Sequence, residues 1–190
     1  MALLYIDEHG RYESACPLCG SRLSDPVFGT NPFRPNDERL QPYANVGLHW
    51  SCYARWSLQR RFAAAYFDHC RRLAGQHPTW SVLMADQRVL VRQSREQQRV
   101  AILLAETGSA LLVEQSHWND FLTFRWRSAT HHLLETRALA QVINDLARIP
   151  SLWGERRLAP EQPARLRSSG RISRHTEHQR RLAATNSSVA

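Results

Sequence analysis

The sequence predicts an α+β protein of three parts. Residues 1–75 form a small module pinned by Cys and His, residues 76–150 an antiparallel three- to four-stranded sheet with helices, and residues 151–190 a disordered basic tail. Three observations lead there. Cys16-Pro-Leu-Cys19 is matched by His49-Trp-Ser-Cys52 at the same two-residue gap. Three apolar runs between Arg88 and Val113 are separated by polar stretches and by Thr107-Gly108-Ser109. From Ser151 onward Arg, Ser, Glu, Gln, Pro and Ala replace the apolar periodicity.

In the first 50 residues Pro17, Pro26, Pro32, Pro35 and Pro42 break any long helix, so short strands and loops are expected. From Ser51 to Ala74 the spacing changes. Tyr53, Trp56, Ala63, Tyr66, Phe67, Cys70 and Leu73 recur at helical steps with Arg on the other side and Gly75 as a stop, which predicts an amphipathic helix. Ser57 marks a break in it and a fresh N-cap. Arg88–Val91, Val100–Ala105 and Ala110–Val113 read as a strand meander, with Trp80–Met84 as a fourth strand. Trp118–Phe124 gives one or two helical turns. A longer helix is predicted over 130–149, with Leu134, Ala138, Leu139, Val142, Ile143 and Leu146 inward and Pro150 ending it.

A hydrophobic fraction of 43% with six Trp suffices for a packed core, whereas the segment after Trp153 buries too little to offset its ordering entropy. Between Glu155 and Leu182 eight Arg face three Glu, a net of +5 out of +8, so the high pI belongs mainly to the tail. All 25 basic residues are Arg. Codon bias in a GC-rich genome explains that simply, although the planar guanidinium does favour anionic partners. The start MALLYIDEHG lacks a basic n-region, and the longest aliphatic run, Val100 to Ala105, is far short of the roughly 20 residues that span a bilayer. A cytoplasmic protein is expected, and four cysteines in this pattern suit metal binding in a reducing compartment better than disulfides.

Cys16-Pro-Leu-Cys19-Gly20 has the form of a knuckle, a tight turn that aims two thiolates at one ion while Gly20 relieves the crowding after it. At a helix start, His49 and Cys52 lie three apart on one face and reach a common point. Cys16, Cys19, His49 and Cys52 would then close a tetrahedral shell around one structural Zn²⁺ per chain, with no vacant position for a reactive water. Such binding is coupled to folding and contributes on the order of 10 kcal/mol. Cys70, eighteen residues past Cys52, would stand roughly 27 Å away along a continuous helix and reads as a core residue.

On these residues the chain resembles a treble-clef zinc module, over about residues 10 to 75: a knuckle with Cys16 and Cys19, a hairpin region, and a helix opened by His49 and Cys52. It also looks like one half of a LIM domain, a Cys pair followed by His-x-x-Cys and an aromatic residue, Tyr53. The second ligand set of LIM and RING domains is missing. The resemblance implies a structural zinc and a recognition role.

Enzymatic signatures are absent from the sequence. Zinc deaminases need Glu two residues after the ligand His, where this chain has Ser51, and the order of the ligand pairs is reversed. No Gly-rich phosphate loop, nucleophile elbow or His-Glu-x-x-His helix occurs. Glu114, His117 and Asp120 read as a solvated corner, His131 and His132 as ordinary surface or partly buried groups, and Trp118, Phe121 and Phe124 as a core stripe.

The expected function is that of a non-catalytic, zinc-stabilised adaptor that engages a protein partner or a second copy of itself. The alternative is a nucleic-acid-binding or regulatory protein. Its candidate contacts are Arg55, Arg60 and Arg61, with Arg71 and Arg72, on the first helix, a set that reads by default as a solvated face, and Arg165, Arg167, Arg171 and Arg174 in the tail.

Overall fold

Prolines and ligand pairs leave room in the first 50 residues only for short elements, and short elements form. The structure, a computed structural model, describes residues 6–94 and 96–149. The predicted disordered tail, with Arg165, Arg167, Arg171 and Arg174, lies outside them. Strand β1 (Val27–Gly29) pairs antiparallel with β2 (Gly47–His49), Phe28 opposite Leu48. Between them runs a 3₁₀ turn, Glu38–Tyr43, capped by the Asp37 side chain, which accepts from the Arg39 N–H. The buried Thr30 hydroxyl closes this loop, accepting from the Val46 N–H at 2.9 Å.

Helix α1 (Trp50–Arg55) starts directly after β2, and helix α2 (Gln59–Leu73) follows a break. The predicted break is present, but Ser57 is not its cap. Trp56 takes an extended conformation and Leu58 occupies the cap position without a side-chain bond. Backbone carbonyls satisfy the new helix start instead, Gln59 N–H donating to the Trp56 carbonyl and Phe62 N–H to that of Leu58. The amphipathic pattern is realised except at its end: α2 buries Phe62, Ala63, Tyr66 and Phe67, Cys70 is half-buried beside the same core, and Leu73, the last helical residue, is exposed.

All four predicted strands form. β3 (Trp80–Ala85), β4 (Val89–Ser94), β5 (Arg99–Leu104) and β6 (Ala110–Glu114) make an antiparallel meander in sequence order, with one bulge between Val82 and Met84. Strand alternation puts Val89, Val91, Val100, Ile102, Leu111 and Val113 on one fully covered face. On the other face Leu90 and Leu103 join one hydrophobic cluster with Leu23, Phe28, Leu48, Tyr53, Phe62 and Phe67. The metal-ligand half and the sheet half therefore share a core.

Two elements depart from expectation. Trp118–Asp120 (α3) is helical and continues into a π turn, Phe121–Arg125; Trp118 and Phe121 are buried, but Phe124 is 79% exposed. Steps of three alone fall about 60° short of a full turn each, so the third aromatic rotates off the core side. The last helix, α4 (Leu133–Leu146), is shorter than the predicted 130–149 because His132 caps it, its Nδ1 accepting from the Leu134 N–H at 3.1 Å. Ala138, Leu139, Val142 and Leu146 are buried, Leu134 and Ile143 only partly, and Glu135 is buried unexpectedly, holding the His131 N–H at 2.8 Å. Arg88, between β3 and β4, ties the far end of α4 to the sheet through Asp145 at 2.6 Å.

Candidate metal centre

The Cys16–Cys19 turn is built by backbone bonds. Gly20 N–H donates to the Cys16 carbonyl at 2.8 Å, Cys16 N–H to the Ser21 carbonyl at 2.8 Å, and Gly20 sits at φ +75°, which a residue with a Cβ enters at a cost. Ala15 and Arg22 bridge across the turn. The second pair is placed by the junction of β2 with α1: His49 is the last strand residue and the N-cap, and Cys52 lies in the first helical turn. Phe28, stacked on Tyr53 at 3.9 Å with the planes 10° apart, fixes this junction against the hairpin.

The four side chains meet. One donor atom from each of Cys16, Cys19, His49 and Cys52 lies within 4.8 Å of all the others, and Cys70 is not among them. His49 Nδ1 is 3.5 Å from Cys19 Sγ and 3.8 Å from Cys52 Sγ. A tetrahedral ion with bonds of about 2.3 Å to sulfur and 2.0–2.1 Å to nitrogen would set these separations at about 3.6 Å. The ring is held from behind: Nε2 lies 3.1 Å from the Arg22 carbonyl, so an Nε2–H donated there leaves the Nδ1 lone pair facing the thiols. The donor set fits one metal ion.

Electrostatics separates the thiols. The backbone N–H of Ser21 aimed at its sulfur pulls Cys19 down to about 6. Burial pushes Cys52 upward, and the neighbouring Cys19 and Cys16 sulfurs add to this. Three adjacent sulfurs do not ionise together without a cation, and a divalent ion supplies the missing charge. Cys16 is buried, His49 and Cys52 are half-buried, and Cys19 faces solvent.

Trp50, between the two ligands of the second pair, is buried and stacks on His132 with planes 6° apart at 5.7 Å. His132 thus caps α4 and rests on the ligand helix at once, a role its place in the sequence did not signal. The Glu114–His117 pair is an exposed contact at 3.6 Å, and Asp120 is exposed and joins no ligand cluster among the described residues. The candidate phosphate contacts are not gathered in one place. Arg55 donates to the Ser51 carbonyl of its own helix at 3.2 Å, Arg60 is exposed, and Arg61 is paired with Asp37 at 3.0 Å.

No helix among the described residues is long and apolar enough to cross a membrane. No family model, no curated protein and no solved structure matches this chain.

Proposed function

We propose that the chain is a non-catalytic interaction protein whose fold is held by one structural zinc ion in a treble-clef-like site. Three thiolates and one imidazole are the donor set of structural zinc, and a fourth protein ligand leaves no position for a reactive water. The order knuckle, hairpin, helix supports the treble-clef comparison. Four unpaired cysteines suit a reducing, cytoplasmic setting.

The interaction reading rests on one row across the sheet whose two edge residues are apolar and exposed. Val82, Arg92, Ala101 and Leu112 stand opposite one another on β3 to β6, on the face that carries Leu90 and Leu103 into the core. Within the row Ala101 is buried and Arg92 half-buried, while Val82 is 41% and Leu112 56% exposed at the two edges. Both edge strands keep unpaired ladder groups, and β6 carries neither Pro nor Lys to guard its edge. A protein partner that lays an apolar strand or helix over this row would bury it.

The test combines elemental analysis with affinity purification of the full chain. One zinc per chain, and a partner retained after nuclease treatment but lost in Leu112→Arg, is the expected result. A complex that nuclease disperses, or one that Leu112→Arg leaves intact, would overturn the interaction reading. A chain without zinc would overturn the metal reading independently.

A further inference from the structure

The loop before the 3₁₀ turn and helix α2 line an open cavity of about 440 Å³, within the size range of small-ligand sites. Its helical wall is a single face. Arg61, Ala65, Asp68 and Arg72 follow one another at steps of four, three and four. Arg34 and Asp37 belong to the facing wall, and the buried Leu40 and Pro35 give it an apolar base.

The charge of this cavity is already arranged. Asp37 is held by Arg39 at 2.9 Å and Arg61 at 3.0 Å, and Asp68 by Arg71 and Arg72, each at 3.3 Å. Three guanidiniums, Arg34, Arg61 and Arg72, thus line the cavity with two carboxylates, and Arg39 and Arg71 hold those carboxylates without lining it. Each carboxylate is satisfied by two guanidiniums, so a cation entering the cavity would have to displace one. The pairing also restrains Arg61 and Arg72, which lowers the entropic cost of using their remaining N–H donors. Arg34 lines the same space with no ion-pair partner among the described residues. Net positive charge, planar donors at both ends of one helix face and an apolar base suit a ligand with anionic oxygens next to a flat or apolar part.

We propose that the cavity lined by Arg34, Arg61 and Arg72 binds a phosphate ester, carried either by a free nucleotide or by a single nucleic-acid strand. The site is independent of the partner-binding row and stands if that reading fails. Arg34 is the principal contact, since its donors are uncommitted. Arg61 and Arg72 complete the grip from α2. Arg55 and Arg60 take no part, because neither lines the cavity.

The Arg-rich tail would bind any polyanion, so the experiment must report on the cavity itself. In the full chain with ¹⁵N-labelled arginine, the Nε–H resonances of Arg34, Arg61 and Arg72 are followed while sodium pyrophosphate, then ATP, then a 12-nucleotide single-stranded RNA are titrated. A poly-glutamate arm is run alongside. All three resonances are expected to shift with at least one of the phosphate probes, and Arg34→Ala to weaken that probe's affinity about tenfold, the scale of one lost charge-assisted contact. Arg34→Lys keeps the charge but loses the fork, and is expected to restore only part. ATP saturating as tightly as RNA identifies the free nucleotide as the source. Tighter RNA binding that falls steeply with salt identifies the strand. Resonances that stay still under every phosphate probe, or that move only with poly-glutamate, would overturn the proposal, as would an Arg34→Ala variant that binds like the parent chain.

Discussion

Between Cys16 and Cys52 the chain forms two strands of three residues, whereas between Trp80 and Glu114 it forms four strands of five or six. The sheet is held by continuous ladders and by Val, Ile and Leu facing inward. The hairpin half has few ladder bonds, and its order comes from a tight aromatic stack and the converging ligand cluster. On the proposed reading, a metal site takes the place of a ladder where prolines forbid one. The structure also shows where the two halves meet. Gly108 in the β5–β6 turn approaches α2, and the Tyr53 hydroxyl donates to the Thr107 carbonyl at 2.6 Å.

The largest effect should come from removing the ion. Chelation or Cys16→Ser forfeits binding free energy on the order of 10 kcal/mol, comparable to the total stability of an ordinary domain of about 5–15 kcal/mol. The near-UV circular dichroism of Trp50 and Tyr53 is expected to collapse. Amide exchange should accelerate in β2 and α1 more than in β4 and β5. Unchanged near-UV signal after complete chelation would mean that the hairpin half stands without metal, and the contrast between the halves would be lost.

Next come the two rivets between the halves. A Cβ at Gly108 would lie 3.2 Å from the Cα of Ala63, a backbone atom that cannot swing aside, and φ there is +66°. Gly108→Val is expected to cost about 3 kcal/mol, combining strain with overpacking. Gly75→Ala, where a Cβ meets nothing within 4 Å, should be close to neutral. Tyr53→Phe leaves the Thr107 carbonyl without its donor in a buried setting, at about 1–3 kcal/mol. Urea midpoints rank all three, and a Gly108→Val midpoint near that of Gly75→Ala would show that the turn does not press on α2.

Much of this was legible in the residues. The Cys and His cluster announced itself by equal spacing, and the strands by apolar runs between turn signals, because both patterns are local. What stayed hidden is the set of contacts that join distant segments. Thr107-Gly108-Ser109 read as a separator, yet Thr107 and Ser109 are buried and share a hydroxyl contact at 2.7 Å. His132 gave no sign of stacking on Trp50, and Arg34 none of facing Arg61 and Arg72. Phe124 misled because a step of three looks like a core stripe over two residues and fails at the third. Ser57 misled because backbone carbonyls took the role reserved for its hydroxyl.

The smallest expected effect separates the halves by pH. Hydrogen bonding from Arg39, with help from Arg61, holds the Asp37 carboxyl at about 2 against an ordinary 3.8. A lowered carboxyl stabilises the fold above its ordinary value and loses that contribution as pH falls through about 2. Cys19, lowered from 9.0 to about 6, has the same sign in a much higher window: its contribution is complete only above 9 and is lost as pH falls through about 6. In the metal-free chain, acid unfolding that begins near pH 6 therefore belongs to the thiolates, and Asp37→Asn should not move its onset. Asp37 is partly open to solvent, so at pH 7 the same substitution should lower the urea midpoint less than Tyr53→Phe does. That difference should shrink further in 0.5 M salt, where surface pairs are screened over about 4–5 Å. An onset that shifts in Asp37→Asn would place the acid-labile element in the 3₁₀ loop and not at the ligand cluster.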